Sequence, residues 1–129
     1  MTEIGEKTGA VLVVRGGEGE SDNNVVRVVG RVSGDPQERA LPSGDRLVTF
    51  RIVLPRPAGY PSKQRVDVLD CAVRAPELLD AASSWHDGDR LEVYGAIRRR
   101  FFRGASGTAA SRVEIEVAAG RMVTSAESE

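Results

Sequence analysis

At 129 residues the chain fits one ordinary domain and is too short for two. Its lone cysteine, Cys71, excludes a disulfide framework and a multi-cysteine zinc site, and suits a reducing cytoplasm. The net charge of −1 conceals an uneven spread, with +4 over residues 24–123, −3 over residues 1–23 and −2 over residues 124–129, so a mildly basic middle permits an anionic partner without requiring one.

Residues 1–23 read as a flexible extension rich in Gly and Glu around the apolar run Ala10–Val14. That run is too short for a signal-peptide core or for the ~20 residues that cross a bilayer. From Asn24 the chain changes character. Val25–Val32 is β-branched and runs into Gly34-Asp35-Pro36, a turn signal, because Asp bonds its own backbone and Pro presets φ. Pro42-Ser43-Gly44-Asp45 is a second turn. In Leu47–Leu54, Val48, Phe50, Ile52 and Leu54 alternate with Leu47, Thr49, Arg51 and Val53, the period of a half-buried strand.

Pro55 to Pro61 holds three prolines in seven residues, which no ladder tolerates, so it is a loop. Arg65 to Arg74 is a third strand, with Leu69, Cys71 and Val73 on its core side. A helix follows, with Pro76 in its first turn, Glu77 and Asp80 near its positive end, and Gly88 just past its exit. Its apolar stripe is Leu78, Leu79, Ala82 and Trp85. Leu91–Phe102 is a long fourth strand and Arg112–Ala118 a fifth, separated by Gly104-Ala105-Ser106-Gly107. Three strands, one helix and two strands is the order of an all-β OB-fold, a five-stranded Greek-key barrel. The expected organisation is an extension over 1–23, the barrel domain over 24–123 and a short tail over 124–129.

Five segments, in order and at matching spacing, resemble the bacterial single-stranded DNA-binding protein (SSB) family. Asn24 to Val32 is similar to its first strand, Gly34-Asp35-Pro36-Gln37-Glu38-Arg39 to its "DPEVR" turn, and Leu41-Pro42-Ser43-Gly44 to its "TPSG" hairpin. Val48-Thr49-Phe50-Arg51-Ile52 resembles the strand that follows, and Asp87 to Arg98 the pattern "KGDxVxVxGxLR". The resemblance, in the form of a short actinobacterial-type paralogue, covers nearly all of residues 24–123. It implies sequence-tolerant binding of single-stranded DNA in replication, repair or recombination. It also implies a homo-oligomer built through the first strand and the outer sheet faces, with a tetramer as the expected state and a dimer as the alternative.

Single-strand binding needs cations that track phosphates and aromatic faces on which bases stack. The fourth strand offers both: opposite the core-facing Leu91, Val93, Gly95 and Ile97 lie Arg98, Arg100 and Phe102, with Tyr94 earlier on the same face. Phe102 matches the family position where a stacking aromatic is usual. Arg51 and Arg74 face the same way by their own alternation, and Arg56, Tyr60, Lys63 and Arg65 populate the loop that is a DNA-contacting arm in the family. The expected binding residues are therefore Arg51, Arg56, Tyr60, Arg65, Arg74, Arg98, Arg100 and Phe102. Arginines alternating on a strand also suit a plain solvated face, and a bulge after Gly95 would exchange Arg99 and Phe101 for their neighbours.

Two departures from the family stand out. The third strand carries Val68 and Arg74 near positions where the family places aromatics, and Asp67 and Asp70 add negative charge beside them. This predicts weaker and more salt-sensitive binding, at ~1–3 kcal/mol for each lost stack. Thr124–Glu129 carries two glutamates without the apolar acidic tip that recruits other proteins, so no such recruitment is expected. The alternative is a structural or regulatory paralogue with weak DNA binding that acts through protein partners.

Catalysis is not expected. His86-Asp87-Gly88-Asp89 coincides with the helix-exit turn, Cys71 alternates with Leu69 and Val73 as a small core residue, and Gly16-Gly17-Glu18-Gly19 lacks the lysine of a phosphate loop. No metal, cofactor or membrane partner is expected, and the expected location is cytoplasmic.

Overall fold

The computed structural model describes residues 22–123. The tail over 124–129 and the extension over 1–23, save its last two residues, lie outside the described residues. Five strands and one helix follow in the expected order: β1 (Val26–Ala40), β2 (Arg46–Pro55), β3 (Val66–Val73), α1 (Pro76–Ser83), β4 (Arg90–Arg103) and β5 (Ala109–Met122). They close a barrel in the order β1-β2-β3-β5-β4, with β4 returning to β1. All pairings are antiparallel except β3 with β5, whose parallel ladder spans Asp70↔Glu114 to Ala72↔Glu116. This is an OB-fold barrel.

The alternation read from β2 puts Val48, Phe50 and Ile52 inside, where they meet Val32, Cys71, Val73, Leu91, Val93, Ile115 and Val117. The helix closes one end of the barrel. Leu79 and Ala82 are buried from it, Leu78 packs on the core's rim, and Trp85 meets Phe50 edge-on with ring centroids 5.5 Å apart. Pro76 opens the helix, and Gly88 takes φ +91° in the turn beyond its end. Among the described residues no helix is long and apolar enough to cross a membrane.

The first strand departs from expectation. Gly34-Asp35-Pro36 does not end it; β1 continues to Ala40 through an irregularity between Ser33 and Gln37. The turn chemistry acts as a bend within one long strand, because its polar groups find partners outside the ladder. The Gly34 N–H donates to Asp87 Oδ1 at 2.6 Å, and the Asp87 N–H donates to Asp35 Oδ1 at 2.9 Å. The bend is thereby tied to the helix-exit turn, which gives Asp87 its structural role.

Two of the glycines inside strands, Gly30 and Gly95, mark close approaches to backbone. A Cβ at Gly95 would lie 2.0 Å from the carbonyl oxygen of Glu116, and one at Gly30 would lie 2.4 Å from that of Val53. Beside Gly95 the β4–β5 register skips Ala118, so the bulge sits in β5 and the alternation along β4 is undisturbed. Arg98, Arg100 and Phe102 therefore keep one face, and Arg99 and Phe101 keep the other.

Candidate nucleic-acid interface

Register fixes which side chains share the outer face. Arg98 lies opposite Glu114, Arg100 opposite Arg112, and Ala96 opposite Glu116 on β4 and β5. Across the parallel ladder Asp70 and Ala72 join Glu114 and Glu116, and on β2 Arg51 lies opposite Asp70 and Thr49 opposite Ala72. The structure thus places Arg51, Arg74, Arg98, Arg100 and Phe102 on one continuous surface over four strands. Three hollows run along it. One of about 270 Å³ is lined by Arg39, Arg51, Asp70, Arg112 and Glu114. A second, of about 330 Å³, is lined by Arg74, Arg100, Phe102 and the same Arg112 and Glu114. A third, of about 610 Å³, lies beyond Glu116 among Arg74, Tyr94, Arg98 and Val25.

Arg56, Tyr60 and Arg65 form a separate group at the far end of the β2–β3 hairpin. Six residues separate Thr49 from Pro55, a rise of roughly 20 Å. The Arg56 guanidinium holds Asp67 at 2.7 Å and lies 5.0 Å from the Tyr60 ring centroid, while the Arg56 N–H donates to the Arg65 carbonyl.

Sequence alternation left the carboxylates of β5 unnoticed. Glu114, 4% exposed, accepts from Arg100 Nε at 2.7 Å and lies 3.6 Å from Arg74 Nη1 and 3.9 Å from Arg112 Nε. Arg74 Nη1 is itself buried without a hydrogen bond, a donor left half-satisfied beside this carboxylate. Glu116 accepts from Arg98 at 2.8 Å; that hydrogen bond, against the cost of burial, holds its carboxyl below the usual carboxylate range. Arg51 pairs with Asp70 at 3.2 Å. Every strand arginine expected to bind, and Arg56 in the loop, is therefore ion-paired within the chain. The missed signal was Arg112-Val113-Glu114-Ile115-Glu116, whose period of two puts Arg112 and both glutamates on the face of Arg98 and Arg100. Arg112 also stacks over the Phe102 ring at 5.7 Å, and Phe102 remains 46% exposed.

A second ionic cluster lies at the start of β4. Glu92 is 1% exposed and accepts from Arg27 at 2.8 Å, from Arg121 at 2.9 Å and from the Tyr94 hydroxyl at 3.2 Å. Burial pushes its carboxyl up, but the hydrogen bonds from Arg27 and Arg121 outweigh that and hold it below the usual range. Tyr94 is committed to this cluster. Burial, reinforced by the charges of Asp70 and Glu114, pushes the Cys71 thiol up to about 12, which removes it as a nucleophile. Among the described residues no cluster of His, Cys, Asp and Glu could hold a metal ion.

A groove with guanidinium groups, one exposed phenyl ring and shallow hollows suits a flexible polyanion with flat bases more than a small rigid ligand. The model of the single-strand binding protein family matches residues 23–123. The chain is 29% identical over 85 residues to the single-stranded DNA-binding protein of Oceanobacillus iheyensis and, equally, to single-stranded DNA-binding protein 3 of Listeria innocua. Each alignment covers 65% of this chain and 53% of the relative, so the chain aligns with about half the length of the curated relatives it matches. Among solved structures it is similar to the Plasmodium falciparum SSB complexed with ssDNA, at TM-score 0.63 and 21% identity, over 81% of this chain and 96% of that one.

Proposed function

The chain belongs to the single-strand binding protein family, and from that membership we propose that it binds single-stranded DNA, without catalysis, along the outer face of β2, β3, β5 and β4. The observation that carries this is the convergence of Arg51, Arg74, Arg98 and Arg100 with the exposed ring of Phe102 on one surface. Bases stack on Phe102, phosphates track the arginines, and Arg56, Tyr60 and Arg65 extend the path along the β2–β3 hairpin.

The ion pairs revise the expectation of strong salt sensitivity. A phosphate that takes a guanidinium from Glu114, Glu116 or Asp70 exchanges one anion for another. Each arginine that keeps its carboxylate withholds its share, about 0.7, from the slope of log K against log salt. Binding is weaker than four free arginines imply and its salt slope is shallower.

The test is an anisotropy titration of labelled oligo-dT over a range of salt concentrations, with the wild type beside the variant Phe102→Ala/Arg98→Glu. The expected result is measurable binding that falls at least tenfold in the variant. Equal binding by both proteins overturns the assignment of the face, and no binding by the wild type at low salt overturns the function.

The working unit in this reading is a homo-oligomer. β1 pairs with β4 from Val26 and with β2 only from Arg31, so its first half presents an open edge, flanked by the exposed Val25 and the half-buried Val29. The service is to replication, repair or recombination in the cytoplasm. One observation favours the rival reading, a regulatory paralogue with weak DNA binding: each arginine of the strand cluster already has a carboxylate partner.

A further inference from the structure

Beyond Gly95, β4 no longer pairs with β1, and before Glu114, β5 pairs with no residue of β3, so residues 98–103 and 109–113 form a two-stranded arm paired only with itself. One face of this arm carries Arg98, Arg100 and Phe102, already described. The other carries Arg99, Phe101 and Arg103 from β4, opposite Val113, Ser111 and Ala109 from β5. Phe101 is 77% exposed, more than Phe102, with Ile97 and Val113 also open to solvent beside it.

The two faces differ in charge. Arg98 and Arg100 are paired with Glu116 and Glu114. On the opposite face Arg99 donates to the Ser111 hydroxyl and Arg103 to the Gly107 carbonyl, and neither pairs with a carboxylate among the described residues. No acidic residue lies among the arm positions of that face. A phosphate reaching it displaces no anion.

We infer that this reverse face of the arm is a second contact for single-stranded nucleic acid, in which a base stacks on Phe101 and phosphates bind Arg99 and Arg103, so that a bound strand crosses the arm and grips both sides. The inference rests on the proposed function and extends it. An exposed ring with a cation two residues to either side, about 6.6 Å away along the strand, matches an extended chain of alternating bases and phosphates. A protein partner would bury two unneutralised guanidinium groups here at a desolvation cost unless it brought its own carboxylates. The charge therefore selects a polyanion.

The experiment uses two variants, Phe101→Trp and Phe102→Trp, each reporting over the constant signal of the buried Trp85. Stacking of a base quenches the new tryptophan. Oligo-dT of about 25 nucleotides, longer than the ~4–16 one OB-fold occupies, is expected to quench both. Quenching at 102 with unchanged emission at 101 overturns this inference and leaves the proposed function standing. No quenching in either variant, with no binding by the wild type, overturns both. A blue shift at position 101 that grows with protein concentration without DNA assigns the face to a second copy of the chain, and overturns it too. As a second measurement, Arg99→Ser/Arg103→Ser is expected to weaken binding of the long oligonucleotide about tenfold. The same variant should reduce the salt slope by about 1.4, at about 0.7 per lost cation, while an oligonucleotide of about six nucleotides binds within twofold of wild type. Equal affinity for the long oligonucleotide overturns the inference.

Discussion

At Glu114 a single carboxylate touches the three arginines best placed to meet phosphate. Its negative charge competes with the ligand, so Glu114→Gln keeps the shape and removes the competitor. Oligo-dT affinity should rise severalfold and the salt slope steepen by about 0.7 for each arginine released. A loss of affinity in the titration would mean that the carboxylate serves only to aim the arginines. Glu92 and Glu116 carry the pH dependence. Both are held below the ordinary carboxylate value of 4.5, so the stability they contribute is complete above that pH and is lost as pH falls through their lower folded values. Urea unfolding should therefore show stability declining below about pH 4.5, and Glu92→Gln should flatten that decline while costing about 1–3 kcal/mol at neutral pH. The alternating arginines were legible in the sequence because one strand's period suffices to place them. Their partners were not, because Glu114 and Glu116 reach them only through the β4–β5 register and the closure onto β3.

Among the elements, the strand most easily misread was β1. Gly34-Asp35-Pro36 has the chemistry of a turn, and turn chemistry is local, whereas the bonds that convert it into a bend come from Asp87, 52 and 53 residues away. Asp87→Ala should leave the Gly34 N–H without its partner and cost about 1 kcal/mol, read as a lower thermal midpoint. In the fourth strand Gly95 marks the close approach and Leu91 and Val93 are core as their alternation predicts, but Ile97, expected on the core side, is 49% exposed because β4 has by then left β1. The bulge was anticipated near Gly95 but lies in the partner strand, a distinction that decides which face Phe101 and Phe102 occupy. Gly95→Ala places a methyl group 2.0 Å from the Glu116 carbonyl oxygen, which must move. The expected cost is at the upper end of the ~1–3 kcal/mol of overpacking, checked by denaturant titration, with DNA binding reduced in step because Glu116 belongs to the face.

For the whole molecule, strand order and the core could be inferred from period and turn signals, while assembly could not, because nothing in one chain's alternation says which outward valines meet a neighbour. Sizing chromatography with light scattering is expected to show a homo-oligomer that Val25→Asp/Val29→Asp shifts towards the monomer; a wild-type monomer would refute the open-edge reading. The parallel ladder between β3 and β5 has a further consequence. It is the shortest joint of the barrel, three residue pairs from Asp70 to Ala72, and it joins parts of the chain more than 40 residues apart. With only three residue pairs, such a joint is expected to open before the longer ladders do. A polyanion held by Arg51 and Arg74 on one side and by Arg98 and Arg100 on the other lies across this joint like a stitch. Amide exchange at Cys71, Ala72 and Ile115 should then slow on binding more than at the β1–β2 hairpin, so the ligand would act as a sixth tie that holds the cylinder shut.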